Sequence, residues 1–359
     1  YEPYSNEKVR RALAMGIDRQ RIVDQFYSDA SEVATHFTPC VFPFGCEGEP
    51  WYDFDPEAAQ ALLAEGLAEL GMDEFPETQV HLRVVDRSYL PFPQQVAVDI
   101  QDQLMENLGI TATIDEQESG TFIDNSDSGN LPGLHLLGWN PDYPDPTNFL
   151  DFHFGEGASD QFGEGWPDVW EALVRGGSSA DPEVRAAAYA DANNALKEHI
   201  PMIPVARGAS STAWAADVEG AHSSPLGNEY FAVMDGGADG VVVWMQNAEP
   251  IGMYCADESD GESLRACDQI YESLYNFEVA GSTAVPALAT ECVANEESSE
   301  FTCSLREGVT FHDGSTLEAA DVVTSYAVQW DTANPLHIGR DGSFTYFPGL
   351  WGGFLNPAE

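Results

Sequence analysis

The chain has 359 residues, 43% of them hydrophobic, and a formal net charge of −47 from 61 acidic and 14 basic side chains. That length exceeds the reach of a single hydrophobic core, roughly 250–300 residues, so at least two compact units are expected. So acidic a surface repels nucleic-acid phosphates and anionic lipid heads, and no apolar run of about 18 residues is present to cross a bilayer.

In chain order, Ser5 reads as the cap of a first helix with Val9, Leu13 and Ile17 at i+4 spacing. A long loop carries Cys40 and Cys46. Asp55-Pro56 then starts a helix through Ala58–Leu70, acid as cap and proline at the first helical position. Gln79–Val85 alternates as a strand. Val96, Ile100, Leu104 and Leu108 mark a helix stopped by Gly109, and Ile110–Ile114 returns as a strand. This strand–helix–strand rhythm predicts α/β layers.

Leu134–Trp139 reads as a short buried strand that ends at a loop rich in proline and aspartate. Asp181-Pro182 opens a helix to about His199, and Met202–Ala206 is a strand. The small and acidic residues Asp235–Gly240 form a flexible junction, placed as the main boundary. Beyond it, Val241–Met245 is a buried strand and Glu262–Tyr275 a helix. Strands around Phe301–Phe311 precede a turn at Asp313-Gly314, and Leu317–Gln329 is a helix.

Lys8 and Lys197 are the only lysines. A lysine-poor acidic surface reads as a solvated, halophile-type exterior; the alternative is a negative field that attracts cationic ligands, which high salt would screen within a few ångströms. Six cysteines fall into sequence-local pairs, Cys40/Cys46, Cys255/Cys267 and Cys292/Cys303, and none has C-x-x-C zinc spacing. Local pairing points to disulfides in an oxidising compartment, although six cysteines permit fifteen pairings and buried free thiols are the alternative. The chain opens at Tyr1 without an initiator methionine or a signal peptide, which reads as a mature or truncated piece. No P-loop, G-x-S-x-G elbow, dinucleotide fingerprint or metal-ligating histidine spacing occurs, so no enzyme activity, cofactor or metal is expected. Asp257–Glu262 lacks the oxygen spacing of a calcium loop.

Several stretches resemble one family. Gly240–Pro250 (GVVVWMQNAEP), Ile270–Leu274 (IYESL), Pro286–Ala289 (PALA) and Leu305–Gly314 (LREGVTFHDG) are similar to the opening lobe of extracytoplasmic solute-binding proteins of the dipeptide/oligopeptide class. Ser5–Arg19 (SNEKVRRALAMGIDR), Gly138–Pro146 (GWNPDYPDP) and Ser224–Asn228 (SPLGN) resemble the closing half of the same family, solute-binding family 5. The halves therefore stand in permuted order, and a middle section of the family is absent. The resemblance implies a type II periplasmic-binding-protein-like bilobal α/β fold, circularly permuted or fragmentary. It makes residues 1–234 the closing half, 235–240 a junction and 241–359 the opening segment. A circular permutant, a tandem fusion and a chimeric assembly would each give this order.

The resemblance also implies a function: extracytoplasmic binding of short peptides or similar amine-bearing solutes by lobe closure, with delivery to the permease and ATPase of an ABC importer. Membrane attachment would come only through a lipid anchor or signal outside this chain. Asp142, between Trp139, Asn140 and Tyr143, stands where the family pairs a carboxylate with the ligand's α-ammonium; two prolines stiffen that loop, so little ordering entropy is left to lose. The plain alternative is a capped Asp-Pro turn, and Asp145 is assigned to that structural role. Ser259, Asp260 and Gly261 fall where the family's extended segment faces the peptide main chain, with an acidic solvated loop as the alternative. The family often has Leu-Asp-Pro just upstream, where this chain has Met253-Tyr254-Cys255, and a Cys255–Cys267 bridge would pin that loop to the following helix. A sensor or adhesion module on the same fold, or a secreted hydrolase, are the competing functions.

Overall fold

The computed structural model describes the chain apart from residues 84–89, 164, 210–211, 228, 247–248, 251, 259, 296–298, 340–341, 345–346 and 348–359. The chain divides into two compact units, residues 1–140 with 144–210, and residues 141–143 with 211–359. The Asp235–Gly240 junction lies inside the second unit.

The first unit runs α1 (Glu7–Gly16), α2 (Arg19–Phe26), β1 (Glu32–Val33), α3 (Pro56–Glu69), β2 (Thr78–Arg83), α4 (Pro93–Leu108), β3 (Ala112–Gln117), α5 (Ser119–Asp127), β4 (Leu134–His135), α6 (Leu150–Phe154), α7 (Pro167–Gly177), α8 (Pro182–His199) and β5 (Ala206–Arg207). β2 is central in a parallel three-stranded sheet of order β3-β2-β4, with Val80 opposite both Ile114 and Leu134. Parallel neighbours need a crossover, which α4 supplies between β2 and β3. The expected helix periodicity becomes the core: Val9 and Leu13 of α1, Leu63 and Leu67 of α3, and Val96, Ile100 and Leu104 of α4 close on Val80 and Leu82 of β2.

Asp55 and Asp181 cap α3 and α8 as their Asp-Pro pairs predict, accepting from the Ala58 and Glu183 amides at 3.0 and 2.9 Å. Gly109 ends α4 in the left-handed region, φ 69°. The cap of α1 is Asn6 rather than Ser5. Its Oδ1 accepts from the Lys8 and Val9 amides at 2.9 and 3.3 Å, while its Nδ2 donates to Glu69 at 2.9 Å. Asn6→Ala is expected to cost about 1–2 kcal/mol, read as a lowered urea midpoint of the first unit's transition. Two expected strands shrink: Leu134–Trp139 to β4 and Met202–Ala206 to β5. Val84 and Val85 of the expected Gln79–Val85 strand lie outside the described residues.

Two arginines, Arg19 buried and Arg207 half-buried, tie loops that have no sheet of their own. Arg19, 7% exposed, donates to the carbonyls of Ala34 (2.7 Å), Pro204 (2.8 Å) and Tyr52 (2.5 Å). Arg207 donates to the carbonyls of His36 and Thr38, and burial pushes its guanidinium down to about 10. In a chain with so few cations, these guanidiniums satisfy backbone carbonyls that would otherwise be buried unpaired.

The second unit contains α9 (Gly261–Cys267), the hairpin of β6 (Tyr275–Phe277) and β7 (Ala284–Pro286), the hairpin of β8 (Ala289–Ala294) and β9 (Phe301–Leu305), and α10 (Ala319–Ala327). Cys292 and Cys303 face each other across β8 and β9 and are bonded, and Cys40–Cys46 and Cys255–Cys267 also form. Two expectations fail here. Val241–Met245 forms no strand, because no other described segment pairs with its backbone. The Glu262–Tyr275 helix stops at Cys267, and Ile270 and Tyr271, the apolar residues that would extend it, are 44 and 57% exposed, so burial does not reward another turn.

Candidate functional site

The Gly138–Pro146 loop is delivered by β4, whose approach to β2 depends on Gly133. Its φ is 128°, and a Cβ there would lie 2.4 Å from the Gln79 carbonyl oxygen. His81 of β2 locks this edge, with Nδ1 2.8 Å from Asp115 of β3 and Nε2 3.0 Å from the Pro132 carbonyl just before β4. Gln117 and His81 together hold the Asp115 carboxyl below its ordinary value.

Trp139 is fixed as an aromatic wall. Its Nε1 donates to Asn148 Oδ1 at 3.1 Å, its ring lies 4.5 Å from Phe152, and the edge of His153 meets it at 4.9 Å. Asn140 is exposed, while Asp142 and Tyr143 are half-buried. Asp145 caps the 3-10 turn Pro146–Asn148 through the Thr147 amide at 3.1 Å and binds Arg185 at 2.5 Å. Arg185 also lies over the rings of Phe44 and Tyr189 and donates to the Gly176 carbonyl. Asp145 is thus committed to structure.

Behind the loop lies a cluster of groups whose charge burial opposes. His153 (4% exposed) keeps Nδ1 3.0 Å from Gln161 Oε1, while its Nε2 has no partner among the described residues. Burial pushes His153 and His135 down to about 4. Asp151 of α6 is half-buried as a residue, but its Oδ2 is shut off from water without a partner. Burial, reinforced by Asp145, pushes it up to about 7. Composition could not single out this acid, because spacing carries no information about desolvation.

In the second unit, Asp260 is the cap of α9, its Oδ1 accepting from the Ser263 amide at 2.9 Å, and Gly261 is the first helical residue. Ser259 lies outside the described residues. The Cys255–Cys267 bridge ties the Met253–Cys255 stretch to the last residue of α9. Arg265, which sequence reasoning missed, points from α9 to the SPLGN motif. It pairs with the buried Glu229 at 2.7 Å and donates to the Gly227 carbonyl at 2.6 Å. Gln269 adds a bond to the Glu229 carbonyl at 2.8 Å. Asn228 of that motif lies outside the described residues.

His36, Cys40 and Cys46 bring potential metal donors within 4.8 Å of one another. Both sulfurs are consumed by their disulfide, so this grouping offers a single nitrogen.

Known proteins share this architecture. The dipeptide-binding protein of Pseudomonas aeruginosa is 28% identical over 234 residues, 64% of this chain and 43% of that protein. Heme-binding protein A of Haemophilus influenzae is 27% identical over 236 residues, 64% of this chain and 41% of that protein. Among solved structures, a dipeptide-binding protein of a Pseudoalteromonas species in complex with Met-Leu superposes with a TM-score of 0.52 at 28% identity, covering 61% of this chain and 43% of that one. The chain thus spans less than half the length of these relatives, and the shared part has the mixed α/β fold of type II periplasmic binding proteins. The profile described as bacterial extracellular solute-binding proteins, family 5, middle, matches residues 1–161 and 283–342, more than half of the chain. The chain belongs to the bacterial extracellular solute-binding proteins of family 5.

Proposed function

We propose that this protein captures short peptides, or similar amine-bearing solutes, outside the cell and delivers them to an ABC importer whose permease and ATPase subunits are its partners. The family match over residues 1–161 and 283–342 carries this reading. The dipeptide-binding relative of Pseudomonas aeruginosa supports the ligand class. Asp142 is the partner for the ligand's α-ammonium: it is half-buried, and the loop bearing it holds Trp139 in a fixed orientation. Residues Ser259, Asp260 and Gly261 supply main-chain contacts, with Asp260 keeping one oxygen on its helix cap. An acidic surface of net charge −47 suits a high-salt exterior.

We read the family's halves as permuted. That order rests on the motifs read from the sequence, Gly240–Pro250 and Leu305–Gly314 standing after Ser5–Arg19 and Gly138–Pro146.

Isothermal titration with di- to pentapeptides tests the function. Heat of binding is expected for peptides with a free amino terminus and a loss for N-acetylated ones. Asp142→Asn should weaken binding at least tenfold, since truncating one partner of a buried charge pair costs about 2–5 kcal/mol. Absence of heat with every peptide, or unchanged affinity in the variant, would sink this reading.

A further inference from the structure

Trp139 belongs to a triangle of rings whose members are held unequally. Phe152 lies 4.5 Å from it, and His153 meets both rings edge-on at 4.9 Å. Phe152 is 43% exposed, so water leaves it room to move. Among the described residues, Trp139 makes one side-chain hydrogen bond, from Nε1 to Asn148 Oδ1 at 3.1 Å, and a single bond lets the ring rock about it. His153 is the firm member. It is 4% exposed and walled in by Phe37 and Phe162, each 5.5 Å away.

His153 is also anchored. Gln161 Nε2 donates to Ser126 Oγ at 3.0 Å and to Asp127 Oδ1 at 3.1 Å. A carboxylate only accepts, so that end of Gln161 is its NH2 group. Gln161 Oε1 therefore faces His153 Nδ1, 3.0 Å away, and accepts its hydrogen. This network sets the tautomer and leaves Nε2 as a lone pair with no partner among the described residues. A chain of bonds thus runs from the end of α5 through Gln161 to α6, and it finishes in ring contact with Trp139.

As a mere filler, histidine is a costly residue here. A buried acceptor without a partner lowers stability, and leucine would fill similar space without that cost. What leucine lacks is a directional anchor and a flat edge. Local rules broken at a cost to stability mark functional constraint.

We propose that His153 is a positioning residue for the ligand wall: pinned through Gln161, it holds Trp139 at the angle at which an amine-bearing solute meets it. Its burial keeps it from touching the solute itself. This role rests on the peptide-capture reading and adds to it a determinant of affinity that lies behind the binding surface.

Fluorine NMR of the chain labelled with fluorotryptophan tests this, the Trp139 line being the one that vanishes in Trp139→Phe. In His153→Leu the urea midpoint should stay at or above the parent's, while the Trp139 line broadens or splits as the ring samples several orientations. Affinity for a free-amino di- to pentapeptide should fall at least tenfold by isothermal titration. Gln161→Leu should disturb the same line and weaken the same peptide, and combined with His153→Leu it should weaken binding no further. A His153→Leu variant with the parent's Trp139 line, or with the parent's affinity, overturns the proposal. A variant that loses stability and affinity together overturns it too, since His153 would then be a plain part of the core. So does a double variant whose two losses add. Absence of heat from the parent with every peptide would sink the capture reading instead, and the Trp139 line would still decide whether His153 holds the ring.

Discussion

Arg19→Ala is expected to lower the unfolding free energy of the first unit by about 3–5 kcal/mol. The side chain is 7% exposed and donates to the carbonyls of Ala34, Pro204 and Tyr52. Its removal leaves three acceptors facing an apolar gap, and each buried unsatisfied group costs about 1–3 kcal/mol before relaxation. Arg19→Lys should recover only part of the loss, because an ammonium on a flexible stem lacks the planar fork that reaches three separate loops. Urea denaturation of the two variants beside the parent measures this. A lysine variant as stable as the parent would show that charge, and not fork geometry, holds these loops.

The second large effect is a pH dependence with two opposed parts. Asp151 is pushed up to about 7 from 3.8 by burial, so between those values the folded chain holds a proton that the unfolded chain releases. Its contribution is fully present below about pH 4 and is lost as pH rises through 7, at most about 4 kcal/mol at 1.36 kcal/mol per unit. His135 and His153 are pushed down to about 4 from 6.5 and act in the opposite sense. Their contribution is present above about pH 6.5 and is lost as pH falls towards 4, about 3 kcal/mol each. Asp151→Asn should therefore stabilise the first unit at pH 8 by up to about 4 kcal/mol and do little at pH 3.5. Urea midpoints across pH 3.5–8 read both parts. A variant that tracks the parent at every pH would show that Asp151 ionises freely in the fold.

The contrast between the two units shows what local sequence carries. Helices announced by a cap and a full apolar stripe form where expected: Asp55-Pro56 opens α3, Asp181-Pro182 opens α8, and Gly109 closes α4. Those stripes meet one another in a shared core, so local propensity and packing agree. In the second unit, the Val241–Met245 run has strand composition but no strand partner among the described residues, and Ile270 and Tyr271, which continue a helical stripe, stay exposed. Strand and helix there depend on neighbours that periodicity cannot supply. The family was legible because motifs such as Ser5–Arg19 and Gly138–Pro146 are contiguous. The roles of Arg265 and Asp151 were not, since each follows from groups brought near by folding, Glu229 for one and a desolvating wall for the other.

The three disulfides span separations of 6, 12 and 11 residues. Each thiol meets its partner as soon as a short stretch of chain has emerged, before either unit can assemble. Loop-closure entropy sorts the alternatives: joining Cys40 to Cys267 instead of Cys46 would cost about 3 kcal/mol more. The correct bonds are thus the kinetically favoured ones among the fifteen pairings, and oxidation needs no template from the folded state. A chain built this way can be oxidised first and folded afterwards, with little demand on an isomerase to correct it.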